Sequence, residues 1–207
     1  MGARCWKGIL LACLLVLQVG GVRAESLTPL ETLKGPIDRI VTILNDPELR
    51  TEDQKIEQRD KIWQVARPLF DFNEISRRTL GPDWDKFSMQ EQERFTTVFS
   101  EFLGSTYIEK MQGEYHEERI VFVSELVRGP IALARTKLLR ETLEIPIDYR
   151  MRQVDGLWKV YDVLVENGVS LVMNYRVQFK SILQKETPAQ LIERLEKKLA
   201  EQQTPAT

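Results

Sequence analysis

The chain has few residues of the kinds that build reactive or cross-linked sites. It holds two cysteines, Cys5 and Cys13, and one histidine, His116, among 207 residues. It contains no HExxH, CxxC or GxSxG pattern and no glycine-rich phosphate loop. These gaps argue against the common zinc, thiol and serine-nucleophile sites. The net charge of −2 also argues against nucleic-acid binding, which needs a basic face.

The first 24 residues have the organisation of an export signal. Arg4 and Lys7 give a basic start, and an apolar run follows over residues 9–19. Val22 and Ala24 then occupy the two positions where a signal peptidase needs small residues. We therefore expect cleavage before Glu25 and a protein that works outside the cytoplasm.

Two other interpretations of this segment stay open. A membrane anchor would need roughly 20 apolar residues, whereas the run has about 11. Cys13 follows Leu-Leu-Ala as in a lipoprotein attachment site, but it lies inside the apolar run. Cleavage leaves 183 of the 207 residues, removes both cysteines and three cations, and shifts the net charge from −2 to −5.

The first half of the mature chain is predicted to be helical. Apolar residues recur at nearly 3.6-residue intervals over residues 30–44, and Asn45-Asp46-Pro47 ends that helix. Further helices are predicted over residues 53–69 and 70–80, and from a capping box at Ser88 to Met111. The last has a wide apolar stripe made of Phe95, Val98, Phe99, Phe102, Tyr107, Ile108 and Met111.

Four β-branched, alternating runs follow, over residues 120–127, 131–140, 143–154 and 157–165. Asp155-Gly156 between the last two is a strong hairpin signal. In the third run, apolar residues alternate with charged ones, including Asp148, Arg150 and Arg152. The pattern predicts an antiparallel meander with one covered face and one wetter face.

Two helices are predicted to finish the chain. The first covers residues 169–183, with Ser170 as its cap, and the second follows a capping box at Thr187. From about Gln202 we expect a frayed tail. Because no repeat or linker interrupts the pattern, residues 25–207 are predicted to form one domain.

Candidates for chemistry are few and scattered. We expect His116 to be a solvated loop residue rather than a general base. Asp83 and Asp85 flank a tryptophan in a loop and are expected to be turn residues rather than metal ligands. Glu117 and Glu118 are expected at a solvated strand start. Asp162, inside a strand, would need an arginine or a backbone amide as partner if it is buried.

Residues 160–179, VYDVLVENGVSLVMNYRVQF, resemble a known family. The stretch is similar to the most specific part of the MlaC-type, or toluene-tolerance, periplasmic phospholipid-binding proteins of Gram-negative bacteria. A second match is Leu80-Gly81 followed by the helix that carries Phe95, Phe99 and Phe102. The one departure is Glu166-Asn167-Gly168, where the family often has Glu directly before Gly.

The resemblance implies an α+β fold, in which a curved four-stranded antiparallel meander, similar to the NTF2-like cone, is wrapped by N-terminal and C-terminal helices. It implies that acyl chains of a phospholipid fill the hollow while the headgroup stays at the mouth. It further implies a monomeric periplasmic carrier that catalyses no reaction and needs no cofactor or metal. The implied partners are an outer-membrane lipoprotein–porin complex and the MCE-domain protein of an inner-membrane ABC transporter, which together maintain outer-membrane asymmetry.

The apolar stripes and the covered sheet face either fill a core or line a hollow, and their spacing does not separate the two. Two alternatives to a carrier therefore remain, an enzyme on the same cone and a structural adaptor with a solid core. For the carrier, we predict that the lipid is lined by Val98, Phe102, Ile147, Tyr149, Val163, Val169 and Val172.

Overall fold

The computed structural model describes residues 27–116, 118–140, 143–166 and 168–203. The predicted export signal, residues 1–24, lies outside the described residues. So do Glu117, Asn167 and residues 204–207 of the predicted frayed tail.

The described chain begins with four α-helices: α1 (Pro29–Asn45), α2 (Lys55–Ala66), α3 (Phe72–Leu80) and α4 (Met89–Glu114). The capping box predicted at Ser88 is present, since Ser88 Oγ accepts from the Glu91 amide and the Glu91 carboxylate accepts from the Ser88 amide. The helix predicted over residues 53–69 is shorter than expected. It lies between two 3-10 turns, and Pro68 in the second has no N–H to continue the α-helical ladder.

A five-stranded antiparallel sheet follows, in the order β1-β2-β3-β4-β5. Asp155 and Gly156 join β3 to β4 with φ of 50° and 79°, as a two-residue hairpin turn requires. Bulges between Phe122 and Ser124 and between Arg150 and Met151 bend the strands. The strands are β1 (Arg119–Arg128), β2 (Ile131–Arg140), β3 (Leu143–Val154), β4 (Leu157–Val165) and β5 (Val169–Ser170).

The α+β class and the meander are as predicted, but the sheet has a fifth strand that the sequence did not indicate. Val169 and Ser170 pair with the end of β4 before the chain turns into a helix. Val169, predicted on the apolar side of that helix, therefore belongs to the sheet.

Two helices complete the fold, α5 (Leu171–Leu183) and α6 (Pro188–Gln203). The predicted caps are confirmed, because Ser170 Oγ accepts from the Met173 amide and Thr187 Oγ1 accepts from the Gln190 amide. No helix within the described ranges is both long enough and apolar enough to cross a bilayer.

The buried side chains form two main groups. We call the group between α1 and the sheet the sheet core; it contains Leu33, Ala134, Met151 and Val160. The group among α3, α4, α5 and α6 is the helical core. Phe70 packs against both groups and forms a parallel bridge with Val160. The fold therefore has a sheet covered on one face by α1 and a separate helical layer joined to it through β4.

Candidate functional site

The register of the sheet places one row of side chains across all five strands. Phe122 is paired with Thr136, Thr136 with Ile147, Ile147 with Val165, and Val165 with Val169. Directly paired residues point to the same face of a sheet. We call this set the mouth row.

The face that carries the mouth row, the inner face, is the one that α1 covers. Two residues along β3 from the mouth row, Tyr149 lies beside Ala134 and Val163, and the next row contains Met151 and Val160. The inner face is therefore mostly apolar, and its polar members include Thr136 and Glu125, which is paired with Ala134 and accepts from the Leu30 amide of α1.

The inner face is fully covered beneath α1 and becomes exposed toward β5. Ala134, Met151 and Val160 are 0% exposed beneath α1. In the mouth row, Thr136 is 1% exposed, whereas Val165 is 38% exposed and Val169 is 61% exposed at the β4–β5 end. An apolar surface that continues from a closed core into the open is a site where an apolar ligand can be added without unfolding anything.

The row beyond the mouth row extends this open surface. Ile120, Leu138 and Ile145 are paired across β1, β2 and β3, two residues further along each strand, and all three are half-buried. The open part of the inner face is thus two rows deep.

The helical core is built around aromatic rings. Phe99 lies with its ring centroid 5.2 Å from those of both Tyr175 and Phe179, at steep interplanar angles. Phe102 contacts Tyr175 in the same way at 6.1 Å. Edge-to-face contacts of this kind favour a fixed packing arrangement.

The phenols of this core stay neutral. Burial raises the pKa of Tyr175 well above its usual range, and the neighbouring Tyr107 raises it further. Burial also raises the pKa of Tyr107 and of Tyr149 on the inner face. These three phenols therefore bring no negative charge to the apolar surfaces at physiological pH.

The junction between β5 and α5 is held by a buried carboxylate. Asp162 is 3% exposed and lies on the face opposite the mouth row, beside Arg150. It accepts hydrogen bonds from Ser170 Oγ at 2.7 Å, the Val172 amide at 3.1 Å and Arg150 Nη1 at 3.1 Å. Both kinds of partner expected for Asp162 are present, and they fix the segment that carries Val169.

A second contact ties α5 to α3. The guanidinium of Arg176 donates to the carbonyl oxygen of Arg78, with Nε at 2.8 Å, near the end of α3. Gly81 follows with φ of 57°, and a Cβ there would lie 3.3 Å from the Arg176 guanidinium. Glycine at this position therefore satisfies both a left-handed backbone and a close approach.

The structure separates the seven predicted lining residues into groups. Tyr149 and Val163 pack against the sheet core, whereas Ile147 and Val169 belong to the mouth row. The other three, Val98, Phe102 and Val172, belong to the helical core or pack against it.

Two concave regions of the described residues lie elsewhere, and none of the seven predicted residues lines either of them. One, of about 200 Å³, is beside Phe70, Phe72 and Lys159. The other, of about 470 Å³, lies where α1, α2 and α4 meet. The open part of the inner face is a surface rather than a closed cavity.

Sequence reasoning missed the residues that complete the mouth row. Phe122, Thr136 and Val165 were not predicted to line the site. The alternation of apolar and polar residues shows which residues of one strand share a face, but it does not show which residues of different strands share one. The pairing register, which depends on two bulges, was needed to align them.

The polar residues considered as catalytic or metal-binding candidates lie in loops or in ion pairs. His116 is exposed between α4 and β1, and Asp83 pairs with Lys86 at 2.6 Å in the 3-10 turn Gly81–Lys86. The expectation for Glu118 was wrong, because it is 4% exposed and pairs with Arg140. In the part of the chain that is described, no group of three or more His, Cys, Asp or Glu side chains could hold a metal ion.

Comparison with known proteins decides the family. The family model "MlaC protein" matches residues 34–197. The chain belongs to the MlaC family. The match includes every strand and all or part of every helix described above, and it confirms the resemblance carried by residues 160–179.

A solved structure has the same fold as this MlaC family member. It is the phospholipid-binding protein from Ralstonia solanacearum in complex with a phospholipid, with a TM-score of 0.71 and 23% sequence identity. The alignment covers 84% of this chain and 97% of that chain. A search of the curated proteins finds no match.

Proposed function

We propose that this chain is a periplasmic phospholipid carrier that holds acyl chains against the open part of the inner face. The observation that carries the proposal is the exposed β4–β5 end of the mouth row, which continues the buried sheet core. Membership of the MlaC family and the fold shared with a protein solved with phospholipid support it.

The energetics of transfer suit a carrier. Each methylene moved from water to an apolar site gains about 0.8 kcal/mol, so a lipid with two acyl chains hardly leaves a membrane for water. An apolar protein surface replaces the bilayer at similar free energy, because both surroundings are apolar. Lipid can then pass between membrane complexes with a small net change in free energy.

The proposed lining combines both layers of the fold. Ile147, Tyr149, Val163 and Val169 supply the inner face. On the helical side the lining consists of Val98, Phe102 and Val172. The headgroup remains at the open end.

We further propose that the partners are an outer-membrane lipoprotein–porin complex and the MCE-domain protein of an inner-membrane ABC transporter, and that the exchange maintains outer-membrane asymmetry. Purified chain loaded with labelled phospholipid should exchange it with the reconstituted inner-membrane complex. Exchange no faster than with protein-free vesicles would contradict this pairing.

The carrier function is tested by substituting Val169→Glu. Val169 is 61% exposed, so the variant should fold normally. A carboxylate in contact with acyl chains costs several kcal/mol, so bound phospholipid should fall by roughly tenfold or more. Lipid is measured by mass spectrometry after solvent extraction of the purified protein.

Val177→Glu is the matched control. Val177 is 66% exposed on α5, and it lies on the side of that helix away from Val172 and Phe179. This variant should keep wild-type lipid. Equal lipid in both variants would contradict the site, and wild-type protein without lipid would favour the structural adaptor or the enzyme.

A further inference from the structure

The β1–β2 and β3–β4 hairpins end beside each other, at the end of the sheet away from the open part of the inner face. The Gln153 amide donates to the Pro130 carbonyl at 2.9 Å, which joins the second hairpin to the turn of the first. We call residues 126–131 and 154–157 at this end of the sheet the hairpin tips.

The hairpin tips expose four aliphatic side chains. Leu126 is 46% exposed, Val127 is 47% exposed and Ile131 is 50% exposed in the first hairpin, and Leu157 is 61% exposed in the second. Exposed aliphatic residues that occur singly are common, but these four lie on two turns that are joined to each other. They therefore form one apolar projection at the end of the sheet.

The direction of these side chains indicates what covers them. Leu126 and Val127 are adjacent in β1, so they point to opposite faces of the sheet. A protein surface that lies against one face covers only one of the two. The interfacial region of a bilayer surrounds a projecting turn and covers both, so the arrangement favours a bilayer.

Cations beside the apolar groups match an anionic membrane surface. Arg128 is exposed, is paired with Ile131 and forms no ion pair or hydrogen bond within the described ranges. Lys159, in the same row of the sheet, donates to the neutral Pro68 carbonyl, so no acid cancels its charge. The one acid of the hairpin tips is Asp155, in the second turn. A guanidinium that has its donors free binds headgroup phosphate oxygens.

We propose that the hairpin tips dock the chain on the surface of a bilayer that contains anionic phospholipid. The four aliphatic side chains enter the interfacial region, and Arg128 contacts headgroup oxygens. This contact needs no partner protein and goes beyond the proposed carriage of lipid. Phe122 of the mouth row is six residues from Arg128 along β1, or about 20 Å, so the two sites are separate.

Binding of the purified protein to vesicles measures this contact. The probes are vesicles of phosphatidylcholine alone and vesicles of phosphatidylcholine mixed with phosphatidylglycerol, separated from free protein by flotation. We expect saturable binding that is tighter to the mixed vesicles and that weakens as salt is raised, because salt screens the attraction between Arg128 and anionic headgroups.

Three variants test the named side chains. Ile131→Glu and Leu157→Glu should each weaken binding by roughly tenfold or more, because an apolar contact is lost and a carboxylate faces anionic lipid. Arg128→Gln should weaken binding to the mixed vesicles by about fivefold and change binding to phosphatidylcholine little. Ile56→Glu is the matched control, since Ile56 is 55% exposed on α2, and it should bind as the wild type does.

Wild-type protein that binds neither kind of vesicle would overturn the proposal and leave a protein surface as the occupant of the hairpin tips. An equal loss of binding in Ile56→Glu and Ile131→Glu would also overturn it. Equal binding to the two kinds of vesicle, unchanged in Arg128→Gln, would overturn the part assigned to Arg128.

Val169→Glu separates this contact from the carriage of lipid. That variant should lose bound phospholipid and still bind vesicles, whereas Ile131→Glu should keep its phospholipid and lose vesicle binding. Loss of vesicle binding in Val169→Glu would assign the contact to the mouth row and overturn the proposal. A chain that carries no phospholipid but binds vesicles through Ile131 and Leu157 would contradict the carrier function alone.

Discussion

Replacing Asp162 by Asn should destabilise the protein far more than a similar change elsewhere on the sheet. The carboxylate is 3% exposed and accepts from a hydroxyl, a backbone amide and the Arg150 guanidinium. An asparagine of the same shape has one acceptor oxygen and no charge. At least one buried donor, or Arg150 itself, then loses its partner.

The magnitude follows from the number of donors affected. An unsatisfied buried polar group costs about 1–3 kcal/mol, and loss of a charged acceptor lies at the upper end of that range. We expect a loss of about 2–3 kcal/mol in the free energy of unfolding. For a domain of this size, that lowers the melting temperature by about 4–12 °C.

The matched control is Asp148→Asn, which lies in β3 on the same face of the sheet as Asp162. Asp148 is 3.7 Å from Arg135, and its side chain is 30% exposed. Exposed pairs of this kind contribute about 0–1 kcal/mol, so the control should unfold near the wild-type temperature. Thermal and urea unfolding, each followed by circular dichroism, measure the melting temperature and the free energy of unfolding of both variants. Similar losses in the two would refute the argument that Asp162 fixes the β5–α5 junction.

Two further predictions concern stability. Gly104→Ala should destabilise the protein by about 1–2 kcal/mol, because the new Cβ would lie 2.7 Å from the Trp63 ring. Gly113→Ala on the same helix meets nothing within 4 Å, so in thermal unfolding it should be neutral or slightly stabilising. Burial raises the pKa of Glu74, but bonds and charges from Arg77 and Arg78 lower it more, so its folded pKa is below normal. The contribution of the Glu74 carboxylate to the free energy of unfolding is present above the unfolded pKa and is lost as pH falls through the folded pKa. The difference in unfolding free energy between wild type and Glu74→Gln should therefore shrink from about pH 6 to about pH 3. A difference that grows toward acid pH would contradict this assignment.

The helices and long strands could be predicted because their signals are local. Capping boxes at Ser88 and Thr187 and the Asp155-Gly156 turn mark boundaries within a few residues of sequence. The strand β5 could not be predicted in this way. It has two residues and exists because Val169 pairs with Val165, and a pairing of that kind depends on tertiary structure.

The candidate site was predicted less completely than the fold. Trp158 and Val160 share the inner face with Val163 only because a bulge shifts the register opposite Arg150 and Met151. Counting alternate residues along β4 would place Val163 on the other face. The grouping of the seven predicted residues into an inner face and a helical core was therefore missed, and their contact with lipid stays a prediction.

Glu118 is a charged residue whose surroundings could not be predicted from the local sequence either. Two adjacent glutamates at a strand start usually indicate solvent. Here the end of β2 brings Arg140 against Glu118, 22 residues away in sequence. Burial raises the pKa of Glu118, and the bonds from the His116 amide and Arg140 lower it more strongly. A partner this distant in sequence leaves no local signal.

The most direct test of the carrier proposal is native mass spectrometry of the purified wild-type protein. We predict a folded species heavier than the polypeptide by the mass of one bound phospholipid, with the excess lost on denaturation. A folded protein with the mass of the polypeptide alone, after expression in cells with normal phospholipids and after incubation with phospholipid vesicles, would contradict it.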